Sequence, residues 1–526
     1  MNEALQAQVL EWSSVKGSMK QTVDAVVIGT GCGGAVVAKE LARAGKSVLM
    51  LERGGFYLPQ RGDFDQREDD MFSRIDGGRG LDTSANGQAA LTYWRCVGGA
   101  SVHYWADSWR APADRLEKWA SEYGVEGHSA DELRPHFERI EKAINAHPAH
   151  ELRRNVMNQL FVTGADASAI PWEPVIQARD ERCIGSGYCM QGCSYDGKQS
   201  QLVTHIPEAL GYGVKIIADC EVERVLHSQG RATGVLAHLL DRKTQARRGL
   251  TLEVTARVVI VAAGGYNSAP LLLRSQIPDP SKQLGQNLQF NPCPQMFGVF
   301  DRDVVMWRGI PAAVGSTHYR LPTFEGGRYV EGGYLLYPNQ LPPATLAALL
   351  PGFGASHAKL MDNAHRIGST IAWIDDLGSG SVRLDEHGDP VWDWTLSRAD
   401  ELIVRDALKK EALVLLNAGA REVITPDPAG TRIGDTADLK KLDTVDLRAG
   451  SMMFACPHPA GMTRMGRDGS MSVVGSNNEV HAVKGLFVCD PSAFPTVVSV
   501  DPSETIMAFS YLAAEKMLRD WSRYGS

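Results

Sequence analysis

A chain of 526 residues exceeds what a single hydrophobic core fills, so two domains, or one domain with a large insertion, are expected. Its 44% hydrophobic and 22% charged residues exclude a disordered chain, and a net charge of -8 with a pI near 6.0 leaves no basic surface for nucleic acid. No run of about 18 apolar residues occurs, and MNEALQAQVLEWSSVKGSMKQ lacks the charged-then-apolar order of a secretory signal, so a cytoplasmic protein without a transmembrane segment is expected, or one exported with a signal-bearing partner.

Residues 23–28 (VDAVVI) read as a buried strand, 33–44 as a helix stopped by Gly45, and 47–52 (SVLMLE) as a second strand, which together make a βαβ unit. GTGCGG stands where the first strand meets the helix. Gly29 permits the tight turn, Gly31 lets backbone approach a pyrophosphate, and Gly34 lets helix and strand pack closely, with phosphates facing the helix N-terminus. Glu52 ends the second strand, where a carboxylate accepts ribose hydroxyls. These residues alone do not separate FAD from NAD.

An alternating run at 213–226 continues through 235–240 and 250–262, a β meander returning to a buried strand ahead of Gly264 and Gly265, with helix over 268–275. From about 296 to 447 the texture changes to short aromatic-rich strands broken by Gly and Pro, then a helical stretch at 398–419. Within it, 341–361 (LPPATLAALLPGFGASHAKLM) carries a short apolar helix between prolines, either a core helix or a lid over a hydrophobic substrate. The C-terminal GLFVCDPSAFPTVVSVDPSETIMAFSYLAAEK supplies a strand, an Asp-containing turn and a helix. Nine cysteines, an odd number, suggest no disulfide framework.

GTGCGG, the turn CVGGASVHYWADSWR, the Cys-rich segment reaching Lys198, VVIVAAGGYNSAPLLLRS, CPHPAGMTRMG and the C-terminal segment, taken in order, resemble the glucose-methanol-choline (GMC) oxidoreductase family over nearly the whole chain. The resemblance implies an α/β fold: an FAD-binding Rossmann-like domain from residues 1–298 and 449–526, and an interleaved α+β substrate-binding domain, 299–448, built on an antiparallel sheet. It places the FAD pyrophosphate on Gly29, Gly31 and Gly34, and the isoalloxazine against the turn of Gly98, Gly99 and Ser101 and the helix entered at Pro502. The backbone around Val222 would face the adenine, and Asp490 would lie near the ribityl and pyrophosphate.

The implied reaction oxidises a small-molecule alcohol, with hydride passing to flavin N5 and His458 in the catalytic histidine position. Histidine suits a proton-handling role near neutral pH. The family's second position, Asn or His, is Asp501 in VDPSETI. Asn donates and accepts whereas an ionised Asp only accepts, so a carboxylate there is expected to favour imidazolium at His458 and to receive the hydroxyl proton or hydrogen bond, alone or as a pair titrating with His458. Capping the last helix is the other role open to it.

His103, in GGASVHYW, matches the offset at which some members attach FAD covalently; a non-covalent contact and a structural histidine are the alternatives. Cys183, Cys189 and Cys193 stand on a Gly-rich loop, and thiolates so gathered can bind a soft metal. The loop is similar to that of the family's membrane-associated sugar dehydrogenases, whose cysteines hold a three-iron iron–sulfur cluster. Four ligands are usual in such sites, and the other reading is a plain loop near the flavin, as in long-chain alcohol oxidases. Segment 341–361 with Trp373, Trp392 and Trp394 leans the substrate toward a hydrophobic alcohol. The rival functions are a sugar or polyol dehydrogenase passing electrons to a partner subunit and a non-redox lyase, and oxygen, a quinone or a cytochrome subunit is the electron acceptor.

Overall fold

The computed structural model describes residues 1–75 and 82–525. A continuous apolar run marks a strand covered on both faces, and the strand Met19–Ile28 ends in four buried residues. It pairs parallel with Val48–Leu51 on one side and with Arg247–Val261 on the other, from Leu252 opposite Met19 to Val261 opposite Ile28. These strands centre an eight-stranded sheet ordered Val9–Leu10, Lys215–Ile217, Val48–Leu51, Met19–Ile28, Arg247–Val261, Arg231–Leu240 and Cys220–Ser228, with Leu486–Val488 paired to Arg247–Val261. The long strand serves two partners in turn. Its early residues carry the antiparallel meander as far as Thr255, and Val259–Val261, beyond the meander, take the parallel strand Leu486–Val488. The far end of the chain is thereby built into the N-terminal sheet.

Every residue of the helix Cys32–Arg43 from Gly33 to Ala42 is buried, because the C-terminal helix Ser503–Arg519 packs on it from outside. From the central strand the chain runs outward in both directions, and ligands of such sheets bind in the crevice at the carboxyl ends of the strands where that happens. Gly29, directly after Ile28, and Ala262–Gly265, directly after Val261, both stand there.

The second sheet is antiparallel, in the order Tyr334–Pro338, Ile367–Ile374, Gln295–Val299, Glu422–Ile424 and Arg432–Ile433. The helix Arg398–Asn417 covers one face, where the Tyr334 hydroxyl donates to Asp406 Oδ2 at 2.7 Å. Successive side chains alternate between faces, so Tyr337 and Trp373, in the pairs Tyr337–Ile371 and Leu335–Trp373, point away from that helix.

The short apolar helix expected between prolines in segment 341–361 is present, and its Leu346 lies in the main core with Leu341 and Leu350, but the segment continues beyond it onto the surface. It forms two short helices, Pro343–Leu349 with Leu346 buried and Ala355–Met361 with no buried residue, and Phe353 between them is 90% exposed. Pro351 explains the break, since the residue before a proline is driven to extended backbone, and Leu350 has φ -69 and ψ 138. Among the described residues no helix is long and apolar enough to cross a membrane.

Candidate active site

Two glycine turns meet at the crevice. Gly29 has φ +99, and a Cβ on it would collide with the Ala262 carbonyl, as one on Gly34 would with the Gly29 carbonyl. Gly31 differs: it precedes the helix Cys32–Arg43 with no side chain capping the first turn, and the nearest atom to a Cβ there is Gly99 Cα at 4.0 Å. Gly99, at φ +56, faces it so closely that its own Cβ would lie 2.8 Å from Gly31 Cα. The result is an open cradle beneath uncapped helix N–H groups, which fits the phosphates of a dinucleotide.

Thr30 ties the turns together. Its Oγ1 donates to Glu52 Oε2 at 2.6 Å and accepts from Gly98 N at 3.0 Å. Glu52 also accepts from Thr30 N at 3.2 Å and Gly54 N at 2.9 Å, while burial raises its pKa against these hydrogen bonds. A carboxylate has about four acceptor sites, so Glu52 braces the turn and keeps room for one more donor. Val222 follows Asp219 and Cys220, whose N–H groups donate to the carbonyls of Gly54 at 2.9 Å and Glu52 at 2.8 Å, which brings that strand to the Glu52 side of the crevice. Ser101 Oγ donates to the Gly98 carbonyl at 2.6 Å and accepts from Gln201 N at 2.9 Å. Asp490 accepts from Gly264 N at 3.2 Å, Ser492 N at 2.9 Å, Ser492 Oγ at 2.6 Å and Ser268 Oγ, so it locks the Gly264 turn to the C-terminal segment.

His458 reaches the same crevice, because a Cβ on Gly265 would strike the carbonyl of its neighbour Pro459. The tautomer of His458 follows from its partner. Asn291, which holds φ +52, donates Nδ2 to the Ile374 carbonyl at 2.5 Å and so presents Oδ1 to His458 Nδ1 at 2.8 Å. An amide oxygen only accepts, so Nδ1 carries the proton and Nε2 is a free acceptor. Nε2 lies 3.6 Å from Asp501 Oδ1, and Asp501 Oδ2 is buried without a partner. Trp373 leans over the imidazole at 5.1 Å between ring centres, flanked by Trp105 at 6.0 Å and Tyr337 at 6.2 Å. Burial pushes His458 down to about 3 and Asp501 up to about 7, with its own N–H and Tyr337 acting the other way. The expected imidazolium is therefore corrected: loss of water around the site penalises both charges, so the imidazole stays neutral while the Asp501 carboxyl changes charge near neutrality. Asp501 does not cap the last helix either, since Pro502 holds the N-cap position and no side chain caps it.

Residues 23–293 match the N-terminal part and residues 377–510 the C-terminal part of the GMC oxidoreductase family. The chain belongs to the GMC oxidoreductase family. An uncharacterized GMC-type oxidoreductase of Mycobacterium tuberculosis is 31% identical over 94% of this chain and 75% of its own. A long-chain-alcohol oxidase of Arabidopsis thaliana is 25% identical over 94% of this chain and 68% of its own. The crystal structure of pyridoxine 4-oxidase from Mesorbium loti superposes with a TM-score of 0.69 at 18% identity, covering 94% of this chain and 99% of that one, a likeness of fold.

In this GMC oxidoreductase His103 is half-buried. It is stacked on Trp94 at 3.2 Å between ring centres, and its Nδ1 is hydrogen-bonded to the Met190 carbonyl. Burial and then the nearby Lys198 charge hold its pKa well below the usual histidine value. Cys183, Cys189 and Cys193 form no group able to hold a metal ion among the described residues, so the iron–sulfur reading has no geometric support. Arg179 Nη1 instead lies 3.8 Å from Cys183 Sγ and 3.5 Å from Cys189 Sγ. Buried Lys198, pushed down to about 8 chiefly by loss of water, donates to the carbonyls of Val102 at 2.5 Å, Tyr104 at 3.1 Å and Cys189 at 2.5 Å, joining this loop to the Gly98–Gly99 turn. Trp392 and Trp394 pack on Tyr266 at 6.2 Å and Phe290 at 5.4 Å as core residues, and of the three tryptophans Trp373 alone reaches His458. Thr30 and Asn291 are the residues that sequence reasoning missed. Thr30 sits inside GTGCGG, where only the glycines carry a familiar signal, and Asn291 stands in no motif.

Proposed function

We propose that this chain is an FAD-dependent alcohol oxidoreductase. It holds FAD along the Gly29–Gly34 turn, the Gly98–Gly99 turn and the Asp490 segment, and binds its substrate hydroxyl against His458 and Asp501. One observation carries the reading: a histidine fixed as an Nε2 acceptor faces one oxygen of a buried carboxyl whose other oxygen has no partner, beside a glycine cradle. FAD, when bound, supplies a two-electron acceptor for hydride. Removing hydride from a carbinol carbon is eased as the hydroxyl proton leaves, and His458 Nε2 with Asp501 receives that proton in a pocket that excludes water. Trp373, Tyr337 and Trp105 wall the pocket and favour an alcohol with an apolar body, in keeping with the long-chain-alcohol oxidase relative. The stacking of His103 on Trp94 and the engagement of its Nδ1 by the Met190 carbonyl favour FAD held without a covalent bond, so acid precipitation is expected to release the yellow colour from the polypeptide.

The test is kcat/KM for straight-chain primary alcohols of increasing length, with an artificial acceptor. Burial of a methylene contributes about 0.8 kcal/mol, near fourfold in kcat/KM per carbon. A stepwise rise with length is expected; oxidation of hexoses in preference to alkyl alcohols would contradict the substrate assignment.

A further inference from the structure

The proposed reaction leaves a proton at Asp501, and a second buried carboxyl, Asp107, belongs to the segment on which the start of the last helix packs. Asp107 is 3% exposed and follows Ala106, which holds φ +78, a conformation that side chains seldom adopt. Gln177 Nε2 donates to Asp107 Oδ1 at 2.7 Å. Arg179, the cation nearest to hand, is committed elsewhere: Nε to Gln177 Oε1 at 3.0 Å, Nη2 to the Trp105 carbonyl at 2.7 Å, and Nη1 to the two cysteine sulfurs. From the other side Ser503, two residues past Asp501, donates Oγ to the Asp107 carbonyl at 3.3 Å. This draws the start of the last helix onto the Asp107 segment. The titratable groups facing the two acids are His458, Tyr337, Cys293, Tyr104, Arg179 and Cys189. Among the described residues, no lysine or arginine forms an ion pair with either carboxyl.

Two carboxyls in one water-excluded cluster without a paired cation do not both ionise. We propose that Asp107 and Asp501 act as one carboxyl pair carrying a single negative charge, and that this pair is the final holder of the substrate hydroxyl's proton, which His458 Nε2 passes on to it. The proposal rests on the alcohol-oxidation reading for its substrate. The hydroxyl O–H bond breaks, and its proton passes by way of His458 Nε2 to the carboxyl pair, whose Asp501 Oδ1 lies 3.6 Å away, and forms an O–H bond there; the carbinol C–H bond breaks with both electrons leaving as hydride, for which FAD, when bound, would be the acceptor, and the carbon–oxygen double bond forms. The pair passes from one negative charge to none. Burial, and then the charge of Asp501, hold Asp107 well above the usual carboxylate range, against Gln177 and Arg179.

Infrared titration of the purified holoenzyme in D2O, with aspartate labelled at its carboxyl carbon, tests this without relying on turnover. In difference spectra against the two variants, which cancel the bands of other buried aspartates such as Asp376, wild type is expected to lose one carboxylic-acid band near neutrality and to keep a second into alkaline solution. Asp501→Asn removes the first band and, with the neighbouring charge gone, shifts the second to lower pH; Asp107→Asn leaves only the first. Anaerobic reduction by an alcohol above neutral pH then adds one carboxylic-acid band in wild type. Absence of the persistent acid band in wild type, an unshifted band in Asp501→Asn, or imidazolium signals on reduction would each overturn the proposal. Failure of every alcohol to reduce the flavin would overturn the alcohol reading while leaving the band titration to judge the pair.

Discussion

Asp501→Asn replaces a buried carboxyl by an amide of the same shape, and the consequence for stability can be worked out. The fold lifts this carboxyl from 3.8 to about 7, chiefly by burial; at about 1.36 kcal/mol per pH unit, the lift corresponds to roughly 4 kcal/mol. The folded value lies above the unfolded one, so as pH rises the unfolded chain gives up its proton first. Below the unfolded value both states hold the proton and stability is unaffected. From there up to about 7 stability is progressively lost, and above it the folded protein carries the whole penalty. Asparagine carries none at any pH. Thermal unfolding of the two proteins, followed in parallel across this range, is expected to coincide at the acid end and to diverge above neutrality, with the variant the more stable by several degrees. Curves that stay parallel at all pH values, or a variant less stable above neutrality, would refute the claim that burial lifts this carboxyl.

Three further outcomes follow from the site. His458→Gln removes the Nε2 acceptor and is expected to slow flavin reduction by about 10²- to 10⁴-fold with KM little changed, read by stopped-flow absorbance. Asn291→Leu leaves Nδ1–H of His458 unpaired and frees its tautomer; an unmade buried hydrogen bond costs about 1–3 kcal/mol, so kcat is expected to fall between about fivefold and a hundredfold while FAD content stays at the wild-type level. In Gly31→Ala, the nearest protein atom to the added Cβ is 4.0 Å away. The apoprotein is expected to unfold at its wild-type temperature, yet bound FAD, counted by visible absorbance, is expected to drop sharply because the methyl enters the phosphate cradle.

The parts of the fold legible in the sequence are those where covalent geometry leaves one residue type. Gly29, Gly34 and Gly99 stand at a positive φ or against another backbone, or both, and such positions announce themselves at fixed spacing. The buried strand at 23–28 was equally readable, but its true start at Met19 is set by pairing with Arg247–Val261, a partner more than two hundred residues away. In segment 341–361 the leucine spacing and flanking prolines gave away the short core helix Pro343–Leu349, whereas the second helix, left on the surface beyond Pro351, carries no apolar period to announce it. His458 and Asp501 stood in recognisable motifs, but their protonation states did not, since burial comes from the antiparallel sheet that carries Tyr337 and Trp373. Asn291 and Asp107 are silent in the sequence for the same reason. Each is held by groups distant in sequence, the Ile374 carbonyl and the His458 ring for Asn291, and the Gln177 amide and Ser503 hydroxyl for Asp107.

The central claim is that the crevice brings an alcohol and FAD together. It is tested most directly by mixing the FAD-loaded protein anaerobically with a panel of primary alcohols and following the flavin absorbance near neutral pH. Rapid bleaching by at least the apolar alcohols, slowed in His458→Gln, is expected; a flavin that stays oxidised with every alcohol in the panel would contradict an alcohol-oxidising site.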